Sequence, residues 1–237
     1  MLLQLLIVIL ILGLGMYFSV RTNKLTEAGA LTGGILGFCI FLGGGFNGLI
    51  MLATFFILGS AVSSYKIKYK TSLGLAEENQ GQRKAGQVLA NGGVAALAGL
   101  LAWLFPASAT LFQLMLAAAF AAATSDTFSS ELGNIHGRRY FDILTFKPGT
   151  KGENGVISFE GTLFGFLGSC LIGIIYGFGF NWDKSVFWVI FAGLIGNLAD
   201  SVLGATLERK RILNNDAVNF LNTLIGALVA GLFYVLV

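Results

Sequence analysis

The stretch Ala121–Gly133, AAATSDTFSSELG, joins a charge-free apolar run to two acids, Asp126 and Glu131, set among serines and threonines. An acid inside a membrane span costs about 2.5–3.5 kcal/mol at mid-membrane, and less near the surface. Acids in such places usually face a polar cavity, an ion or each other. The alternative is that Asp126 simply ends a helix and lies in water, and the rest of the chain favours a functional role.

The composition around this stretch is that of a membrane protein. Hydrophobic residues make up 55% of the chain, charged residues only 11%, and the mean hydropathy is +0.79. Glycine, at 33 of 237 residues, is about twice its usual share, which suits closely packed membrane helices. Cys39 and Cys170 fall inside apolar runs, so the sequence indicates neither a disulfide framework nor a zinc site.

The hydropathy pattern predicts an all-α polytopic membrane protein with about eight transmembrane helices and a single transmembrane domain over 1–237. The first helix lacks a basic leader and is followed by Arg21 and Lys24, so it is interpreted as a retained anchor rather than a signal peptide. The predicted spans are 2–20, 28–44, 47–65, 86–105, 108–127, 157–180, 185–204 and 218–236.

Charge is distributed very unevenly between the loops. Fourteen of the fifteen lysines and arginines follow helices 1, 3, 5 and 7, and Lys184 is the exception. The positive-inside rule makes these loops cytoplasmic and both termini external, in the cell inner membrane. Eleven of the twelve acids lie on the same side. Loops 66–85 and 128–156 are therefore expected to contribute to a cytoplasmic site, and residues 66–80 of the first loop are interpreted as a solvated connector.

The predicted start of helix 4 carries polar residues on one face. Lys84, Gln87 and Asn91 are spaced i, i+3, i+7, directly after Arg83. Helix N-termini carry a partial positive charge and free N–H groups, which favour phosphate. The alternative for Gln87 and Asn91 is interhelical hydrogen bonding.

Helix 5 poses a geometrical question. On a continuous helix, Asp126 and Glu131 are about 140° apart and do not share a face. They converge only if the helix breaks between them, or else they serve different neighbours. The sequence does not choose between these two arrangements.

The loop before helix 6 is rich in glycine. Residues 146–156 read FKPGTKGENGV, with Lys147 and Lys151 beside the glycines and a predicted helix starting near Ser158. Backbone N–H groups in such a loop can cradle phosphate, and a plain turn is an equally good interpretation.

Helices 7 and 8 carry polar stripes at helical spacing. The stripe on helix 7 includes an acid with apolar helix before it, which favours function; its members are Asn197, Asp200, Ser201, Gly204 and Glu208. The helix 8 stripe consists of Asn215, Asn219, Asn222 and Gly226. An asparagine stripe alone often serves only to form hydrogen bonds between helices.

The predicted hairpins 2–3, 4–5 and 6–7 look alike, which suggests parallel repeats or a chance similarity. Under this topology, helices 2, 4, 6 and 8 direct their positive dipole ends to the cytoplasmic face, and helices 3, 5 and 7 their negative ends. Amides and hydroxyls lie mainly on the first set, and Asp126 and Asp200 on the second. This layout favours phosphate on one set and a divalent cation on the other.

Several motifs resemble those of an integral-membrane family that includes plant phytyl-phosphate kinase. The resemblance covers nearly the whole chain from helix 2 onward. Its motifs are RKxGQVxxNGG (83–93), DTxSSExG (126–133), PGT (148–150), GT (161–162), DSxxGA (200–205) and NDxVN (215–219). Relatives usually have PGTxGGVS before helix 6, whereas KGENGVIS (151–158) is longer here. The resemblance implies a nucleoside-triphosphate donor, CTP, and a distant likeness to dolichol and phytol kinases.

The resemblance, together with the charge distribution, implies a phosphotransferase that converts a polyprenyl or phytyl monophosphate to the diphosphate at the cytoplasmic face. A phosphate monoester has a second pKa near 6, so its dianion needs no strong base, and catalysis reduces to positioning and charge neutralisation. We expect Mg²⁺ on Asp126, Glu131 and Asp200, with Lys84 joining Asp126 and Asp200 as catalytic residues. The expected nucleotide and phosphate contacts are Arg83, Gln87, Asn91, Ser129, Ser130, Lys151, Asn154, Gly161, Thr162, Asn197, Ser201, Asn215 and Asn219.

Two other functions share these features. Buried acids in gapped helices also occur in carriers, so a lipid-phosphate or ion transporter is the main alternative. A cytidylyltransferase acting on a lipid phosphate would share donor and metal and differ only in its product. The expected partners are the nucleotide, the prenyl lipid and membrane lipid, with no nucleic acid.

Overall fold

The computed structural model describes residues 2–75, 81–180 and 182–236, which are nearly all helical. The helices are α1 (Leu2–Arg21), α2 (Glu27–Ser64), α3 (Ile67–Ser72), α4 (Ala85–Leu104), α5 (Ala109–His136), α6 (Phe159–Gly179), α7 (Ser185–Leu203) and α8 (Asn215–Leu236). A short 3-10 turn (Pro106–Ser108) precedes α5, and a π-helical turn (Gly204–Glu208) extends α7. The two strands are β1 (Tyr140–Asp142) and β2 (Val156–Ser158). The all-α membrane class is confirmed.

Helix α2 supplies two membrane spans because it folds back on itself at Gly45. This glycine has φ 58° and ψ −152°, a conformation open essentially only to glycine. Both ends of α2 lie at the same face, since Lys24 Nζ donates to Ser64 Oγ at 2.6 Å. Seven helices in the described residues are long and apolar enough to cross a membrane, and the bend in α2 gives the predicted eight spans.

Helix α5 forms the centre of the bundle and contacts α2, α4, α6, α7 and α8. Its stretch 116–123 is fully buried and consists mostly of alanine. Small residues on the neighbours match it, because a Cβ at Gly196 or Gly226 would lie within 2.8 Å of the Ala122 side chain. This close packing brings the polar ends of α5, α7 and α8 together. Helix α1 packs on α2 and is otherwise mostly exposed, as expected for a lipid-facing helix.

The glycine-rich loop is folded and anchored. Strands β1 and β2 pair antiparallel, with Tyr140 opposite Ser158. Asp142 accepts hydrogen bonds from Thr145 N at 2.9 Å and from Arg209 Nη1 at 2.6 Å. The Arg209 guanidinium, followed by these turn donors, lowers the pKa of Asp142 to about 2. The hairpin is therefore tied to the segment after α7.

Several predicted helix boundaries differ from the structure, among them the start of α8, which is Asn215 instead of 218. Helix α5 continues to His136 instead of ending at 127, and α6 begins at Phe159 instead of 157. Hydropathy marks where a helix leaves lipid, whereas α5 continues into a polar cavity walled by protein.

Candidate active site

A polar cavity of about 670 Å³ lies where the first turns of α4 and α8 meet the last turns of α5 and α7. The β-hairpin and the segment after α3 border it from outside the bundle, through Gly155 and Leu75. Most of the predicted site residues line this cavity: Arg83, Lys84, Gln87, Asn91, Asp126, Ser129, Ser130, Glu131, Asn154, Asn197, Asp200, Ser201, Asn215 and Asn219. Residues of α4, α5, α7 and α8, together with the segment before α4 and the hairpin loop, thus share one space.

A pair of acids lies on the wall of the cavity where α5 and α7 meet. The Asp200 side chain of α7 lies beside Asp126 of α5 and Asn222 of α8. Asn222 is only 1% exposed. Within the described residues, Asp200 Oδ1 and both side-chain amide atoms of Asn222 are buried without a hydrogen-bond partner. Buried polar atoms are costly in that state, so Asp200 and Asn222 are suited to an additional ligand.

The chemistry of Asp126, Asp200 and Asn222 fits a divalent cation. Carboxylate and amide oxygens are the hard donors that Mg²⁺ prefers, and Mg²⁺ is commonly bound through one or two carboxylates plus substrate phosphates. Asp126, Asp200 and Asn222 would hold it. The described residues include no cluster of three or more His, Cys, Asp or Glu suited to a metal, so the predicted three-acid site is not formed.

Glu131, the third predicted metal ligand, lies elsewhere on α5. Because α5 is continuous, Glu131 and Asp126 serve different neighbours, one of the two arrangements left open by the sequence. Glu131 forms a buried ion pair with Lys70. Lys70 is fully buried, and its Nζ also donates to Ser63 O at 2.5 Å and to Val62 O at 3.2 Å. Lys70 thus joins α3 to the end of α2 and to α5.

The prediction of a solvated connector over 66–80 is therefore wrong for Lys70. Residues 76–80 lie outside the described residues. Nothing in the sequence distinguishes Lys70 from the exposed Lys68 two positions earlier, because its partner Glu131 is 61 residues away.

The basic side of the cavity is formed where α4 begins. The backbone of Arg83 bridges to the first turn of α2, with Arg83 N donating to Lys24 O at 2.9 Å and Thr26 N to Arg83 O at 3.1 Å. The Arg83 guanidinium is buried, 5.2 Å from the centre of the Phe55 ring. Lys84 is exposed at the rim. The cavity therefore offers one buried and one exposed cation.

The predicted amides of α4 are oriented by their own helix. Gln87 Oε1 accepts from Lys84 N at 2.9 Å, and Asn91 Nδ2 donates to Gln87 O at 3.0 Å. These bonds stay within the first turns of α4, whereas the alternative from sequence was hydrogen bonding between helices. Both side chains remain on the cavity wall.

Three predicted phosphate contacts do not line the cavity. Lys151 Nζ lies over the Tyr69 ring at 5.3 Å and the Tyr140 ring at 5.9 Å. A Cβ at Gly161 would meet Ser129 O at 2.8 Å, so this glycine permits the close approach of α6 to α5. Thr162 Oγ1 donates to Ser158 O at 3.1 Å. The contacts of Lys151 and Gly161 join neighbouring structural elements, and the hydrogen bond of Thr162 lies at the start of α6.

Residues 9–227 match the family described as integral membrane protein DUF92. The chain belongs to this family. It is 39% identical over 214 residues to an uncharacterized membrane protein of Methanocaldococcus jannaschii, covering 90% of this chain and 87% of the relative. An uncharacterized membrane protein of Synechocystis is 35% identical, covering 83% of this chain and 77% of the relative. The protein VTE6, chloroplastic, of Arabidopsis thaliana is 32% identical, covering 87% of this chain and 64% of that protein. No solved structure matches.

This DUF92 chain also places unpredicted residues on the cavity wall, among them Asn134, Glu153, Glu208, Asn214 and Asp216. Glu208 continues the polar stripe of α7, so its position was available from periodicity. Asp216 lies where α4 and α8 meet, with Oδ2 2.5 Å from the position of a Cβ on Gly86. Asp216 belongs to the NDxVN motif, but the helical periodicity of α8 favoured the asparagines of that motif as site residues.

Proposed function

We propose that this protein is a membrane phosphotransferase that transfers the terminal phosphoryl group of a nucleoside triphosphate, CTP, to a polyprenyl or phytyl monophosphate. The proposed reaction needs Mg²⁺ and takes place at the cytoplasmic face. The observation that carries the proposal is the adjacency of Asp126 and Asp200 in a cavity that also holds the buried Arg83. The resemblance to the family that includes plant phytyl-phosphate kinase supports the same chemistry.

The residues present suit a reaction without a general base. A phosphate oxygen of the monoester attacks the terminal phosphorus of the nucleotide, one phosphorus–oxygen bond forms, and the bond to the leaving nucleoside diphosphate breaks. Total charge is unchanged and no proton is transferred, because the acceptor is already mostly a dianion at neutral pH. The protein must therefore hold two mutually repelling anions in line and neutralise their charge.

The cavity provides the groups for this task. Arg83 and Lys84 supply fixed positive charge, and the first turns of α4 and α8 add free N–H groups and positive dipole ends. Asp126, Asp200 and Asn222 would hold a divalent cation, which would supply positive charge against the donor phosphates. Helices α5 and α7 position the two acids through the tight packing of Ala122.

The test is a product assay on the purified protein in lipid nanodiscs with Mg²⁺ and geranylgeranyl phosphate. Parallel reactions contain CTP labelled in the γ- or the α-phosphate, and lipid products are resolved by thin-layer chromatography. We expect γ-label in geranylgeranyl diphosphate and no α-label in lipid, with all product lost in EDTA. Label from the α-phosphate in lipid would instead identify a cytidylyltransferase. A parent protein that binds no nucleotide in Mg²⁺ would rule out the kinase and favour a carrier.

A further inference from the structure

The side chain of Arg83 is a buried cation on the cavity wall. Its side chain contacts the Phe55 ring, and a Cβ at Gly59 would lie 3.2 Å from its Nη2. In the part of the chain that the structure describes, its guanidinium forms no salt bridge with a carboxylate. A buried guanidinium without a counter-charge is costly, and its planar fork suits phosphate. Because Arg83 also lines the cavity, an anion bound there would balance the charge of its guanidinium.

The guanidinium lies near the level of the acid pair, on a face of α5 that is about 100° away from Asp126. The position of a Cβ on Gly59 is 3.7 Å from Thr127 Cγ2, so the tip of Arg83 reaches the level of Thr127. Thr127 follows Asp126 in the sequence, and neighbouring residues of a helix point about 100° apart. Asp126 therefore faces α7 and α8, while Thr127 and Arg83 lie toward α2.

The two sides of the cavity have different surroundings. Arg83 lies against Phe55 and Gly59, two buried residues of the 46–64 arm of α2, so its immediate surroundings are apolar. The other side is bordered by loop residues outside the spans, including Asn154 and Asn214. A phosphate on an apolar chain approaches from the bilayer, whereas a nucleotide approaches from water with a polar base and sugar. The surroundings match the first to Arg83 and the second to the loops.

We propose that Arg83 binds the phosphate of the lipid acceptor, and that the nucleotide donor occupies the side formed by the acid pair and the loops. This assignment rests on the proposed function and adds the division of the cavity into two subsites. Phe55 holds the guanidinium plane by a cation–π contact. Gly59 provides the space for it. The Arg83 subsite thus selects a phosphate monoester carried on a long apolar chain.

Equilibrium binding separates the two subsites without requiring turnover. Calorimetry in nanodiscs measures geranylgeranyl phosphate alone and CTP with Mg²⁺ alone, for the parent and for Arg83→Gln, Arg83→Lys and Gly59→Ala. We expect Arg83→Gln to weaken geranylgeranyl phosphate binding at least about tenfold and to change the CTP affinity by less than about threefold. Gly59→Ala should weaken lipid phosphate binding in the same direction but by less, since the added Cβ shifts the guanidinium by a few tenths of an ångström while keeping its charge.

Lys68→Gln is the matched control, because it removes one exposed cation of α3 outside the cavity; both affinities should stay at the parent's values. If Arg83→Gln fails to fold by size-exclusion chromatography, Arg83→Lys and Gly59→Ala decide the question. Weakened CTP binding with unchanged lipid binding would overturn the subsite assignment and leave the kinase standing. A parent that binds both ligands but forms no diphosphate would overturn the proposed function instead.

Discussion

At the scale of single residues, the role of an acid depends on which helices it faces. Asp126 and Glu131 lie on the same uninterrupted helix, yet Asp126 lies beside Asp200, and Glu131 pairs with Lys70. The first pair brings like charges together, which is stable only with a cation or proton between them. The second is already neutralised within the protein. Chemistry is therefore expected at the first pair and stability at the second.

Asp126→Asn and Asp200→Asn should each lower product formation by about 10²–10³-fold or more while the protein still folds. The amide keeps the shape but removes the charge that binds the cation, and one lost electrostatic contact of this kind costs on that order. Insertion should be slightly easier, because a neutral amide is cheaper near lipid. The measurements are initial rates of diphosphate formation and the yield of monodisperse protein.

Asp183→Asn is the control for these variants, since it changes an exposed acid at the other end of the bundle and should keep full activity. Full activity in both Asp126→Asn and Asp200→Asn would remove the acids from the reaction. A protein with no Mg²⁺-dependent nucleotide binding even in its parent form would favour the carrier.

Some of these residues could be predicted from sequence and others could not. The stripe from Asn197 to Glu208 is local, so helical periodicity alone placed Asp200 in the site. The choice between neighbours for Asp126 and Glu131 depends on contacts with distant segments, which periodicity does not encode. Lys151 was expected to bind phosphate because glycines flank it, but the paired hairpin turns it toward Tyr69 and Tyr140.

At the scale of elements, α3 is held by one buried ion pair. Removing one partner leaves an uncompensated buried charge, so Lys70→Met or Glu131→Met should destabilise the protein by about 3–5 kcal/mol. The double variant should recover most of this loss, because two apolar side chains of similar volume replace the pair. Lys68→Met, on the exposed side of α3, should have little effect. Denaturant titration in detergent measures all four; an additive double variant would contradict the pairing.

The β-hairpin depends on Asp142 in a way that pH reveals. The pKa of Asp142 is about 2 in the fold, against an ordinary 3.8, because Arg209 and turn donors favour the carboxylate. A lowered pKa means that the stabilisation is present above about pH 4 and is lost as pH falls toward 2. Amide exchange over 140–158, corrected for intrinsic rates, should therefore accelerate between pH 4 and 2. Asp142→Asn should exchange fast at all pH values, and a parent-like pH profile in that variant would contradict this role.

At the scale of the whole molecule, the two ends of the bundle differ in charge and in the length of their loops. The cavity end gathers the segments that carry Lys24, Arg83, Arg138 and Arg209, joined by contacts such as Lys24 with Ser64 and Asp142 with Arg209. The other end holds the bend at Gly45, and its loops are short; there, Asn47 Nδ2 donates to Gly179 O at 2.6 Å. Hydropathy and charge were enough to predict this difference, because both depend on composition along the chain rather than on pairing.

The orientation of the bundle in the membrane can be tested directly. Lysine and arginine are retained on the cytoplasmic side during insertion, so the cavity end should face the cytoplasm, where nucleoside triphosphates are found. Single cysteines at Lys68, Thr150 and Asn214, all exposed at the cavity end, should be shielded from an impermeant thiol reagent in intact cells. A cysteine at Asp183 should label. The background is a variant with Cys39 and Cys170 replaced by alanine, and permeabilised cells show that all four sites can react. Labelling of any cavity-end cysteine from outside would place the site away from cytoplasmic nucleotide, and the kinase would lose its donor.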